Sequence, residues 1–208
     1  MEKVNTIAGD IYIRNKHDLR VVKEVIEEHE YERWGDIKML PAYTVIDAGA
    51  HIGSFTRLAL AYQCNVIAIE PDDENFEMLL KNTEGYTVKL VHGLLWNGKE
   101  VKFLKDAERG ELNKVDSKGK MMPSVKLDSL VEHFKLKSID LLKMDIEGSE
   151  YEVLYNFKHL DIVKQLTMEW HYGSTKMAEL IIFLEQRDFE VVWSAGNGQW
   201  GKLQVKHI

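Results

Sequence analysis

Four carboxylates in this chain stand where apolar, β-branched runs give way to turns. Asp47 follows Thr44-Val45-Ile46, Glu70 follows Val66-Ile67-Ala68-Ile69, Asp145 follows Ile139 to Met144, and Glu169 follows Gln165-Leu166-Thr167-Met168. Acids are common in loops, so one such placement carries little. Four of them, with glycines beside Asp47 and Asp145, describe one end of a parallel sheet, which is where open α/β sheets bind ligands.

The first turn reads Asp47-Ala48-Gly49-Ala50-His51-Ile52-Gly53-Ser54-Phe55. Gly49 and Gly53 permit a tight turn and close approach of a ligand to the backbone, and the helix that follows presents free amides. The G-x-x-x-G spacing departs from the dinucleotide fingerprint G-x-G-x-x-G, which disfavours a nicotinamide-dependent oxidoreductase. Asp47 also places negative charge where a pyrophosphate wants none, and suits a cationic ligand group. The plain alternative is a strand-to-helix turn with packing glycines. Glu70-Pro71 lies about 20 residues beyond the glycines, where a carboxylate can accept hydrogen bonds from both hydroxyls of a ribose. Asp47, Ala48, Gly49, His51, Gly53, Ser54, Phe55, Glu70 and Pro71 are therefore the candidate binding residues, for an adenosine-containing ligand with a positively charged tail.

The elements that must position these groups alternate. A strand from Tyr43, a helix through Leu58 to Ala61, a strand over Val66–Ile69, a helix over Asp73–Asn82 with Phe76, Leu79 and Leu80 inward, and a strand over Val88–Val91 call for a parallel sheet with right-handed crossovers. Val101 and Phe103 fit a further strand. Residues 106–120 are rich in Lys, Glu and Gly and read as a surface loop, with a substrate lid as the alternative. Alternation resumes with a helix over Leu127–Phe134, the strand ending at Asp145, a helix marked by Tyr151, Leu154 and Tyr155, and the strand ending at Glu169. A helix capped by Ser174 follows, then Phe189 to Trp193, a Gly196-Asn197-Gly198 turn and a Leu203/Val205 strand. The expected fold is α/β: an open, mostly parallel seven-stranded Rossmann-like sheet with helices on both faces and a C-terminal antiparallel hairpin. Residues 1–40 form an N-terminal strand and helix cap and 43–208 the Rossmann-like core, within a single domain. The cap helix, from about Asp18 to Glu30, turns Leu19, Val22, Val25 and Ile26 inward and leaves Glu24, Glu27, Glu28 and Glu30 solvated.

Composition narrows the partners. Over 208 residues, 27 basic and 34 acidic side chains give a net charge of −7, which repels a phosphate backbone and argues against nucleic acid. The single Cys64 rules out an internal disulfide and a Cys-rich zinc site, and its apolar setting reads as a packed thiol. Met1 to Thr6 lack the apolar core of a signal peptide, and no apolar run is long enough to span a bilayer, so a cytoplasmic protein without a membrane partner is expected. Asp145, Glu169 and His171 carry donors that suit Mg²⁺, Mn²⁺ or Zn²⁺, but no ligand spacing demands a metal and none is expected.

Lys126-Leu127-Asp128-Ser129-Leu130, followed by Ile139-Asp140-Leu141-Leu142-Lys143-Met144-Asp145-Ile146-Glu147-Gly148-Ser149-Glu150-Tyr151-Glu152-Val153-Leu154, resembles the FkbM-type methyltransferases. That family's pattern ends with an acid on the next strand, here Glu169 in Met168-Glu169-Trp170-His171. The resemblance extends from about Asp36 to about His171. It implies a class I S-adenosylmethionine-dependent fold, usually acting on oxygen, with S-adenosyl-L-methionine as cofactor. Such enzymes typically carry Asn where this chain has His51. Gly93 and Leu94 lie where this fold frames the adenine. Asp145 falls beside the expected methyl donor, where it could orient the acceptor hydroxyl, accept its proton or contact the methionine amine. Glu147 acts there too or merely starts a helix, and His171 is a candidate base or a polar strand-end residue. Tyr31 and Trp34 either cover the cofactor or pack. A nucleic-acid amine methyltransferase would need a Pro-Pro turn where this chain has Asp145-Ile146-Glu147-Gly148. The expected function is methylation of a small-molecule or sugar hydroxyl, with a non-catalytic methyltransferase-like binding module as the alternative.

Overall fold

The computed structural model describes residues 1–98, 101–104, 114–115 and 120–208. An antiparallel hairpin of β1 (Glu2–Thr6) and β2 (Gly9–Ile13) opens the chain. Asn15 caps α1 (Lys16–Val22) by accepting from the N–H groups of His17 and Asp18, and α1 continues into a π-helical turn over Lys23–Glu27. The repeating unit then begins with β3 (Thr44–Ala48), α2 (Ser54–Ala61), β4 (Asn65–Glu70), α3 (Asp73–Asn82) and β5 (Lys89–His92). Short strands follow: β6 (Leu94–Leu95), β7 (Val101–Leu104), β8 (Lys114–Val115), β9 (Lys120–Met122) and β10 (Ser124–Val125). β10 pairs in parallel with β6, and β7 pairs antiparallel with β8 and β9. The last part holds α4 (Leu127–Phe134), β11 (Leu141–Met144), α5 (Glu150–Tyr155), β12 (Gln165–Trp170), α6 (Ser174–Glu185), β13 (Phe189–Gly196) and β14 (Gly201–His207).

Seven strands form the main sheet in the order β13-β14-β12-β11-β3-β4-β5. The run from β12 to β5 is parallel, and β14 pairs antiparallel with both its neighbours, which gives the expected C-terminal hairpin. The winding reverses between β3 and β11, so a crevice opens at their carboxyl ends. Side chains alternate across each strand and build two cores. Ile46 and Met144 pack with Leu130, Leu154 and Leu180 from α4, α5 and α6. Val45 and Leu141 pack with Val22, Leu58 and Leu79 from α1, α2 and α3. The N-terminal hairpin is pinned to this second face by Arg57, whose guanidinium donates to the carbonyls of Ala8, Asp10 and Asn82 and to the Tyr86 hydroxyl.

Several elements differ from the sequence reading. The N-terminal cap holds two strands where one is expected, because the mostly exposed β1 carries no buried periodicity while β2 buries Ile11 and Ile13. The cap helix starts at Lys16 and its regular part stops at Val22. Leu80 is exposed, because α3 buries Met78 and Leu79 instead. α6 begins at Ser174 with Gly173 in the capping position. In the charged stretch, Lys114–Val115 and Lys120 are strand residues; 105–113 and 116–119, and with them the choice between loop and lid, lie outside the described residues. Cys64 is a packed thiol: burial raises its pKa to about 11 and its Sγ donates to the Leu40 carbonyl. Among the described residues no helix is long and apolar enough to cross a membrane.

Candidate active site

Parallel register sets Lys143 of β11 directly beside Asp47 of β3. The Lys143 ammonium lies 3.1 Å from Asp47 Oδ1 and donates to the Gly49 carbonyl at 2.7 Å, while Thr56 Oγ1 donates to Asp47 Oδ2 at 2.6 Å. Burial pushes the Lys143 pKa down, but the charges of Asp47 and Asp145 outweigh it and the net shift is upward. Both partners are buried. Asp47, read from the sequence as an acid for a cationic ligand, has its charge matched inside the chain instead.

Above this pair lies a cavity of about 560 Å³. Of the sequence candidates, Gly49, His51, Glu70, Pro71, Leu94, Asp145, Glu147 and His171 line it. Asp47, Ala48, Gly53, Ser54, Phe55 and Gly93 stand behind its wall. Gly49 is required by the protein's own backbone: its φ is +79°, and a Cβ there would fall 1.8 Å from the Asp145 carbonyl oxygen. Gly53 faces Leu79 of α3, Phe55 meets Tyr31 edge-on, and the Gly93 N–H donates to the Glu70 carbonyl. His51 adopts a left-handed conformation (φ 52°), one that Asn also tolerates. Burial lowers its pKa to about 4 despite Asp18 at 3.6 Å.

Glu70 is anchored by the N–H groups of His51 (2.7 Å) and Asp72 (2.9 Å), with the Asn75 amide at 3.4 Å. Burial raises its pKa to about 7 against those hydrogen bonds. Across the cavity the carboxylates crowd. Asp145 Oδ2 accepts from the Tyr31 hydroxyl at 2.6 Å. Burial, together with the charges of Asp145 and Glu169, holds the Tyr31 phenol well above its usual pKa, so it stays a donor. Burial and the Asp145 charge push Glu147 to about 9 and Glu169 to about 8. His171 sits between Glu147 (Nε2 to Oε2, 3.4 Å) and Glu150 (Nδ1 to Oε1, 3.3 Å). Burial pushes its pKa down, but Glu150 and the surrounding carboxylates lift it to about 9. His171 therefore carries its proton at neutral pH, which suits it to balancing charge rather than to the base role read from the sequence.

The cavity's roof was not legible. Glu24 and Glu30, expected on a solvated face, line it together with Arg20 and Tyr31. Lys202 of β14 stands opposite Glu169 of β12, pairs with Glu30 and lies over the Tyr31 ring; burial lowers its pKa to about 8. Trp34 stacks on Trp193 away from the cavity wall. The one available signal was Lys143, a cation inside the apolar run Leu141-Leu142-Lys143-Met144, which demands a buried anion. Among the described residues no group of three or more His, Cys, Asp or Glu side chains is disposed to hold a metal ion.

Residues 47–191 match the methyltransferase FkbM domain. The chain belongs to the FkbM methyltransferase family. Hexuronic acid methyltransferase AglP of Haloferax volcanii is 30% identical over 134 residues, covering 61% of this chain and 55% of that protein, so the chain spans about half the length of this relative. Methyltransferase sdnD of Sordaria araneosa is 26% identical over 236 residues, covering 90% and 87%. Among solved structures, fibrillarin of Aeropyrum pernix, crystallised with natively bound S-adenosyl-L-methionine, shares the fold with a TM-score of 0.55 at 9% identity, over 86% of this chain and 74% of that one. The FkbM match begins at Asp47 and ends at Val191. The roof residues Glu24, Glu30 and Tyr31, and Lys202 beside them, lie outside the matched segment.

Proposed function

We propose that this protein transfers a methyl group from S-adenosylmethionine to a hydroxyl of a small molecule or sugar. The observation that carries the reading is Asp145, a carboxylate at the strand switch point that faces the cavity with one oxygen fixed by Tyr31. The donor set suits the cofactor. The volume lies in the range of roughly 300–1,000 Å³ typical of ligand sites. The excess of carboxylates suits a molecule with sulfonium and ammonium charges. Glu70, Pro71 and Leu94 would hold the nucleoside end, and Glu169 the charged end. Glu70 already uses three of about four acceptor sites, one of them on the long Asn75 contact, so holding both ribose hydroxyls requires that contact to yield.

When bound, S-adenosylmethionine supplies a methyl group whose bond to sulfur breaks as the acceptor oxygen bonds to it. The chain's own tasks are alignment, proton removal and exclusion of water. Asp145 takes the acceptor's hydroxyl proton on Oδ1, the oxygen that Tyr31 leaves free. Tyr31 keeps the carboxylate from rotating, and protonated His171 offsets Glu150. The hexuronic acid named for the Haloferax relative and the chain's net negative charge both favour a small acceptor over nucleic acid. The test is calorimetric titration with S-adenosylhomocysteine, followed by a turnover screen of sugar acceptors with labelled methyl donor. A folded protein that binds no S-adenosylhomocysteine refutes the reading.

A further inference from the structure

A second cavity, of about 400 Å³, lies between the N-terminal ends of α5 and α6 and shares Glu147 and Tyr172 with the first. Its wall is aromatic, with Trp96, Tyr151, Tyr155 and Tyr172. The partition between the two cavities is built closely. Gly148 has φ +93°, and a Cβ there would fall 2.3 Å from the Tyr172 ring, so this glycine is what lets the ring lie against the β11–α5 turn. Tyr151 is held by donating its hydroxyl to the His171 carbonyl at 2.6 Å. The Lys176 ammonium stands 5.0 Å from the centre of the Tyr172 ring and 5.6 Å from that of Tyr151. Among the described residues no carboxylate forms an ion pair with it. The cavity's carboxylates are differently placed: Glu152 accepts from the amides of Asn97 and Asn156, and burial beside Asp145 keeps Glu147 protonated. That leaves Glu179, whose charge acts on the Tyr155 hydroxyl, as the wall's remaining acid.

We propose that this second cavity seats the methyl acceptor, and that the acceptor is a pyranose ring bearing a carboxylate, which Lys176 reads. The proposal rests on the methyl-transfer reading of the first cavity. Flat aromatic rings cover the C–H faces of a sugar while leaving its hydroxyls free at the edges. An ammonium steered by two tyrosine faces, with no anion of its own, is a receptor for an anionic substituent. Glu147 and Tyr172 belong to both walls, so a ring seated here adjoins the cavity that Asp145 lines.

Calorimetry with methyl β-D-glucuronide and methyl β-D-glucoside, on the protein preloaded with S-adenosylhomocysteine, tests the assignment. The glucuronide binds at least tenfold more tightly to the native protein. Lys176→Met reduces that preference to less than twofold while glucoside and S-adenosylhomocysteine affinities stay put. Lys176→Arg retains the preference, and Glu179→Gln strengthens glucuronide binding by removing a like charge. Lys176 is exposed, so these variants fold. Equal binding of the two sugars, no binding of either, or a preference that survives Lys176→Met overturns the proposal. If S-adenosylhomocysteine binds and the sugars do not, the acceptor seat alone falls; if S-adenosylhomocysteine does not bind, the reading of the first cavity falls with it.

Discussion

Asp47 and Asp145 end neighbouring strands of one sheet, yet their surroundings are opposite. Around Asp47 the chain supplies everything the charge needs: a lysine at 3.1 Å, a threonine hydroxyl at 2.6 Å and full burial. Around Asp145 it does the reverse. Glu147 and Glu169 are pressed beside it with their pKa values forced up, and the cations that feel its charge, Lys143 and His171, are themselves paired with Asp47 and Glu150. A closed pair stabilises a fold and is silent toward ligands. A crowd of carboxylates at the mouth of a cavity is unfavourable until something positive enters, and perturbed pKa values of this kind concentrate at functional sites.

The contrast is broken most severely at Asp145. Asp145→Asn keeps the shape and removes the base, so turnover drops by about 10²–10⁴-fold, while affinity for S-adenosylhomocysteine changes less than tenfold. Turnover within a few-fold of native assigns the proton to another acceptor. A collapse of binding instead moves Asp145 to the methionine end.

At the other acid the loss is in stability. Lys143→Met leaves Asp47 buried without a cation, at a cost of about 3–5 kcal/mol in chemical denaturation, and Asp47→Asn added to it recovers much of the loss. If the single variant is as stable as the native chain, the pair does not hold the sheet's centre.

A smaller effect is expected at Glu70. Glu70→Gln weakens S-adenosylhomocysteine binding by at least tenfold, about 1.4 kcal/mol. An unchanged dissociation constant in a variant with native melting behaviour removes Glu70 from the ribose site.

The mildest test is pH. Glu70, Glu147 and Glu169 hold protons in the folded chain that the unfolded chain releases near 4.5, so each lowers stability as pH rises from there toward about 7, 9 and 8 respectively. His171 contributes stability that is present below 6.5 and lost as pH rises through about 9. The ligand-free protein therefore melts lower at pH 9 than at pH 6.5, with Lys202, depressed to about 8, offsetting part of the loss above pH 8. Scanning calorimetry at the two pH values decides it; a higher melting point at pH 9 contradicts the crowded-carboxylate description.

The sheet was legible because its strands are short apolar runs and its helices keep their period; α3 and α4 fall on the residues the periodicity marks. The acids at strand ends were legible for the same reason, since a turn must follow a buried run. Their fates were not. Whether a strand-end acid faces a ligand or a lysine depends on which strand lies beside it, and Lys143 is 96 residues from Asp47 in the chain. The roof was hidden more deeply. Glu24 and Glu30 look like any solvated helix face, and only their docking over the crevice turns them inward.

The bond between Tyr31 and Asp145 closes a loop of 114 residues, and the one from Gln204 to the Tyr31 carbonyl closes 173. Contacts so distant in sequence carry a large closure entropy and reward the chain only after the intervening strands are in place. The carboxylate assigned to proton removal is thus oriented by a segment that precedes the parallel sheet, and that segment is itself held by the C-terminal hairpin. A chain that loses either bond keeps the carboxylate but not its orientation, so chemical competence hangs on two contacts that span more of the sequence than the sheet's parallel pairings do.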